Sequence, residues 1–126
     1  MESIEPTGVA SPAATYALGT RVNNPQVLIH TAGIVGARAD GSVPDDLEAQ
    51  AGEIWRTIEV VVVEGGLALT DIVSYTTYVV DGQDLSVVMA ARDAALHGHR
   101  SASTLIVVPR LARPEWRMEI SVVAAR

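Results

Sequence analysis

The chain has 126 residues, 48% of them apolar and 19% charged, a composition that fits one ordered domain with a sizeable core. Nine basic and fifteen acidic side chains leave a net charge of −6, which on average repels a nucleic-acid backbone. The absence of cysteine excludes disulfides, thiolate nucleophiles and cysteine metal sites, and all nine basic residues are Arg.

Met1 to Pro6 lack the basic start and apolar core of a secretory signal. The longest apolar runs, Val60–Val63 and Leu105–Val108, are too short to cross a bilayer, so a cytoplasmic protein without membrane contact is expected. Thr15–Val22 reads as a strand, Asn23-Asn24-Pro25 as a turn, and Gln26–Gly33 as a second strand, which together suggest a hairpin. After a loop over Ala37–Pro44, Asp45 or Asp46 can cap a helix. Its apolar positions Leu47, Ala51, Ile54, Ile58, Val61 and Val62 recur at three- and four-residue steps, and Gly65-Gly66 stops it.

Ile72–Val80, rich in β-branched and aromatic residues, reads as a strand ended by Asp81-Gly82. A second amphipathic helix runs from Asp84, its cap, to Leu96, and His97-Gly98-His99 leads into a final strand pair, Ser101–Val108 and Trp116–Ala124. The expected architecture is a single α+β domain over residues 1–126, a mixed sheet with two helices on one face. Val27–Ile29 and Leu105–Val108 are apolar at consecutive positions, so the uncovered face is expected to meet another subunit.

Glu119 is the lone carboxylate of the apolar last strand, where an unpaired charge is costly. It is either a general base beside a cleft or half of an ion pair with Arg117 or Arg110. Ser103 and Thr104 offer hydroxyls to a ligand or to the backbone, and Arg100 lies in the loop just before them. His97 and His99 stand in a Gly-containing loop without acidic support, and His30 lies in a strand, so no metal site is expected. No phosphate loop, dinucleotide fingerprint or nucleophile elbow is present. No cofactor is expected.

The order of elements and several local sequences resemble the RidA (YjgF/YER057c/UK114) family, small trimeric proteins of chorismate-mutase-like fold. The resemblance spans nearly the whole chain. It rests on Tyr16, Thr31-Ala32-Gly33, Gln50, Asp71-Ile72-Val73 with Tyr75–Asp81, and Leu111 with Arg113-Pro114-Glu115 and Met118-Glu119-Ile120.

Many members of this family are enamine/imine deaminases, which hydrolyse reactive 2-imino acids to the keto acid and ammonia. The resemblance implies Glu119 as the residue that positions water. It implies a substrate cleft between subunits of a homotrimer, with Tyr16, Gly33, Ser103, Thr104 and Arg100 as candidate binding residues. In the family an Arg in a Pro-Ala-Arg-Ser/Thr segment holds the substrate carboxylate. Here that segment aligns with Ser101-Ala102-Ser103-Thr104, so Ser103 replaces the Arg and its bidentate fork is lost. Met89, Thr57 and Ala32 replace other polar family positions. Three functions follow from the resemblance: an imine or enamine hydrolase of altered specificity, a non-catalytic trimer that binds a small metabolite, and a ribonuclease or translation inhibitor. The net charge disfavours the last.

Overall fold

Two helices cover one face of a five-stranded sheet in the computed structural model, which describes residues 1–126. Helix α1, Leu47–Glu64, begins at Asp46, whose extended backbone lets its carboxylate accept the Glu48 N–H at 2.9 Å. It buries Leu47, Gln50, Ala51, Ile54, Trp55, Ile58 and Val62 and ends at Gly65, where a Cβ would collide with Ile29. Helix α2, Leu85–Leu96, is capped by Asp84, which accepts from the Ser86 N–H at 2.9 Å and the Ser86 hydroxyl at 2.6 Å. It closes on His97 in the left-handed conformation, with φ 48°.

The strands are β1 (Glu2–Ile4), β2 (Gly19–Arg21), β3 (Leu28–His30), β4 (Ile34–Val35), β5 (Ile72–Val80), β6 (Ala102–Val108) and β7 (Met118–Ala125). The main sheet has the order β3, β7, β5, β6, with β4 also on β7, while β1 and β2 form a separate antiparallel pair. The chain leaves β5, crosses through α2 and returns as β6 parallel to β5. Such a crossover needs a connecting helix, whereas antiparallel neighbours do not.

Burial alternates along β7. Met118, Ile120, Val122 and Ala124 face the helices and are at most 2% exposed, so Glu119, Ser121 and Val123 face the other way. Each large apolar side chain buried in this layer stabilises the fold by about 1.5–3 kcal/mol. Trp55 meets Tyr75 edge to face, with ring centroids 5.8 Å apart.

The expected hairpin over residues 15–33 does not form. β2 pairs with β1, and β3 pairs with the end of β7, where Gln26 and Val27 donate their N–H groups to the Arg126 carbonyl at 2.8 and 2.9 Å. An isolated hairpin is marginal, whereas pairing with β7 sets Ile29 beside buried Ala124 and over Gly65. The single strand expected over Gln26–Gly33 is also interrupted. The Thr31 hydroxyl accepts the Val122 N–H at 3.0 Å and diverts the chain between β3 and β4. β6 and β7 likewise do not pair with each other, because β5 lies between them. His30 is exposed within the protomer.

On the uncovered face and at the sheet edges, Leu28 is 59% exposed, Ile106 39% and Val107 49%. The burial expected on both sides of these strands is therefore absent within one protomer. No helix is long and apolar enough to cross a membrane.

Candidate active site

Glu119 stands on β7 opposite Val35 of β4 and Tyr78 of β5, on the face that the helices leave open. Antiparallel partners project side chains to the same side about 5 Å apart, so Tyr78 and Val35 flank the carboxylate. Gly33 lies directly against it. A Cβ at that position would stand 2.6 Å from Glu119 Oε2, so any side chain there would displace the carboxylate.

The carboxylate has no ion-pair partner in the protomer. The six ion pairs of the chain join Arg21 to Glu2, Arg56 to Glu53, Arg92 to Asp93, Arg100 to Glu5, Arg113 to Glu115 and Arg126 to Asp71. The structural pair with Arg117 or Arg110 does not form within the protomer. The Arg117 side chain donates instead to the Asp45 carbonyl at 2.6 Å, and Arg110 is in no ion pair.

A buried amide holds the approach to β7. Gln50 Nε2 donates to the carbonyls of Pro44 and Glu115 at 2.8 and 2.9 Å, and its Oε1 accepts the Arg117 N–H at 2.9 Å. Gly36 packs on this residue, since a Cβ there would come within 2.7 Å of the Gln50 Cα. Gln50 thus ties the start of α1 to the segment that delivers Glu119. In the sequence it is marked by being polar at a position of the buried helical stripe and by its place among the residues that carry the family resemblance.

The remaining candidates gather at the other edge of the sheet. Arg100 donates from Nε and Nη2 to the Tyr16 carbonyl at 3.3 and 3.0 Å, and its Nη1 meets Glu5 at 3.0 Å. The Ala17 N–H donates to the Ser101 carbonyl at 2.9 Å, fixing this segment beside the start of β6. Ser103 pairs with Tyr75 and shares its helix-covered side, whereas Thr104 pairs with Thr76 on the open side with Glu119. From strand spacing, Ser103 and Thr104 lie about 12–14 Å from Glu119. One protomer therefore unites Gly33 with Glu119 and Tyr16 with Arg100, and it keeps the two groups apart.

A groove of about 860 Å³ runs between α1 and α2, lined by Gly52, Trp55, Ala90, Ala91 and Ala94 among others. It contains none of the candidate residues, and the buried Trp55 Nε1 has no hydrogen-bond partner. Of the candidates, Glu119 and Thr104 lie on the open sheet face. No group of three or more His, Asp or Glu is arranged to hold a metal ion.

Comparison with known proteins decides the lineage. The family model described as Endoribonuclease L-PSP matches residues 8–126. The chain belongs to the RidA (YjgF/YER057c/UK114) family. The 2-iminobutanoate/2-iminopropanoate deaminase of Escherichia coli K12 is 31% identical over 122 residues, covering 92% of each chain. Among solved structures, the Rid-family protein YyfB of Yersinia pestis superimposes with a TM-score of 0.89 at 26% identity, covering 99% of this chain and 98% of that one. The YjgF gene product of E. coli gives 0.74 at 27% identity over 100% and 99% of the two chains. The α+β architecture, with two helices on a mixed sheet, is the one these RidA-family structures share.

Proposed function

We propose that this RidA-family chain is an imine or enamine hydrolase in which Glu119 is the general base. The reading rests on one observation above all: an unpaired carboxylate on the open sheet face, pressed against a glycine that leaves room for nothing larger. The carboxylate takes a proton from water as the water oxygen bonds to the imine carbon. That proton passes on to the nitrogen to give a carbinolamine, whose hydroxyl proton then moves by way of the carboxylate to the nitrogen as it departs as ammonia and leaves a carbonyl compound. Positioned general bases of this kind contribute about 10²–10⁴ in rate. The name of the E. coli relative supports this class of reaction.

The separation of Glu119 from Tyr16, Arg100, Ser103 and Thr104 within one protomer supports a cleft shared between copies. A homotrimer whose open sheet faces meet brings one copy's sheet edge towards its neighbour's Glu119. With Ser103 in place of the family Arg and Arg100 paired with Glu5, neither of these two positions offers a substrate carboxylate an unpaired guanidinium. The substrate range accordingly differs from that of 2-imino acid deaminases. The test is ammonia release from freshly generated imines. Glu119→Gln should abolish it with folding intact, and release no faster than in buffer across a broad panel would sink the proposal.

The same lack of a carboxylate anchor favours, as a second reading, a trimer that binds a small metabolite without turning it over. Saturable binding without ammonia release would select it. A ribonuclease reading, suggested by the family description, is disfavoured by the charge of −6 and by Arg side chains engaged with carboxylates.

A further inference from the structure

The groove between the two helices lies on the opposite side of the sheet from the face assigned to contact between copies. Helices α1 and α2 run in the same direction, because β4, β5 and β6 are parallel to one another and each helix joins two of them. Their seam opens into about 860 Å³, within the range of small-molecule sites. Glu48 and Ser86, each the second residue of its helix, mark one end of it, and Glu59, Thr70 and His97 mark the other. From Glu48 to Glu59 is about 16 Å along the axis of α1.

Three features of this groove have no use within the protomer. Gly52 lies in the interior of α1, where glycine is less stable than alanine, yet a Cβ there would meet nothing within 4 Å. Trp55 lines the groove and is only 4% exposed, and its Nε1–H has no acceptor, a costly state for a buried donor. Glu48 and Glu59 belong to none of the six ion pairs, whereas Arg56, the guanidinium on the groove, is held by Glu53 at 2.9 Å.

Together these features select one kind of occupant. The α2 wall of Ala90, Ala91, Ala94 and Ala95 suits an alkyl chain, and Gly52 leaves room for it. Two unpaired carboxylates attract a cation and repel a carboxylate. The cation belongs at the Glu59 end, where α2 terminates at Leu96 and His97 and neither helix has a basic residue in its last turn. Trp55 and Glu59 are one turn apart on the same side of α1.

We infer that the groove binds an elongated amphiphilic cation, an alkyl chain interrupted by a carbonyl oxygen about one helical turn from a terminal ammonium. The ammonium lies at Glu59, the oxygen accepts from Trp55 Nε1, and the chain runs over Gly52 and the alanines towards Ser86. The site shares no residue with the proposed hydrolase and does not depend on it.

The probe is N-octanoyl-1,4-diaminobutane, whose extended length matches the groove. Its affinity for the intact protein is compared by calorimetry with that of n-dodecylamine, which lacks the carbonyl, and N-butyloctanamide, which lacks the ammonium. The acyl diamine should bind one per protomer and about fivefold to tenfold more tightly than either, as expected for one hydrogen bond or one charge contact. Glu59→Gln should weaken both amines about fivefold and leave the neutral amide unchanged. Gly52→Leu, at an exposed position, should weaken all three at least tenfold while the thermal midpoint holds or rises. Neither substitution should alter ammonia release. The Trp55 indole N–H resonance, assigned by comparison with Trp116→Phe, should move downfield with the acyl diamine and not with dodecylamine.

The inference is overturned if the acyl diamine shows no saturable binding, if dodecylamine binds equally well, if Gly52→Leu leaves the affinity unchanged, or if the Trp55 resonance does not respond. Affinity lost in Glu119→Gln but kept in Glu59→Gln would place the probe on the sheet and overturn it as well. Failure of the imine assay leaves this site untouched, and failure of these binding tests leaves the hydrolase standing.

Discussion

Gly33 and Glu119 are in such close contact that a Cβ on the glycine would lie 2.6 Å from the carboxylate Oε2 and 2.7 Å from its Cδ. The obstructed atoms are the far end of a flexible side chain, so Gly33→Ala should push the carboxylate aside without disturbing the core. We expect ammonia release to fall at least tenfold while the thermal midpoint moves by less than about 4 °C, equivalent to under about 1 kcal/mol. A large loss of stability with activity per folded molecule unchanged would contradict this.

Glu119 has no ion partner to lose. Glu119→Gln should leave the denaturant midpoint unchanged or raised, because it removes a partly buried charge that nothing compensates. A structural ion pair would give the opposite sign. Urea unfolding of the two proteins separates the cases.

Gln50 and Gly36 support the segment leading to Glu119. Gln50→Ala removes three hydrogen bonds and should cost about 3 kcal/mol, roughly 1 kcal/mol for each. Gly36→Ala forces a Cβ against the helix backbone at 2.7 Å and should cost about 1–3 kcal/mol. Unlike Gly33→Ala, both should lower stability and activity together, as paired melting and ammonia assays would show.

Asp84 caps α2, and the Ser86 hydroxyl, then the Ser86 backbone N–H, hold its pKa below the ordinary 3.8. A depressed carboxyl stabilises the fold above its unfolded value and loses that contribution as pH falls through the folded one. Stability of the native chain should therefore drop as pH goes below about 3.8. Asp84→Asn should lose the part of that decline due to this group, measured by denaturant titration at several pH values. An unchanged slope would mean that the cap contributes nothing.

The exposed open face bears on assembly. The chain should elute with a light-scattering mass three times that of one protomer, and Ile106→Glu, at a position 39% exposed, should release monomers that still show native circular dichroism. A native monomer at all concentrations would rule out the shared cleft.

Much of this was readable from residue order alone. Both helices, the cap Asp84, a cap at Asp45 or Asp46, and the bounds of β5 follow from periodicities and capping groups that act within a few residues of each other. RidA-family membership was likewise legible from the order of short segments, and so was the carboxylate as the residue to question. Only the tertiary structure decided which strands are neighbours. It separated β6 from β7 by inserting β5, joined β3 to the end of β7, pressed Gly33 on Glu119, and set Ser103 and Thr104 on opposite faces. These relations depend on hydrogen bonds between residues as far apart as Thr31 and Val122, and on a register in which one step turns a side chain from core to solvent. Local sequence carries no direct record of such pairings, so it marked Glu119 as unusual but left its surroundings to the fold.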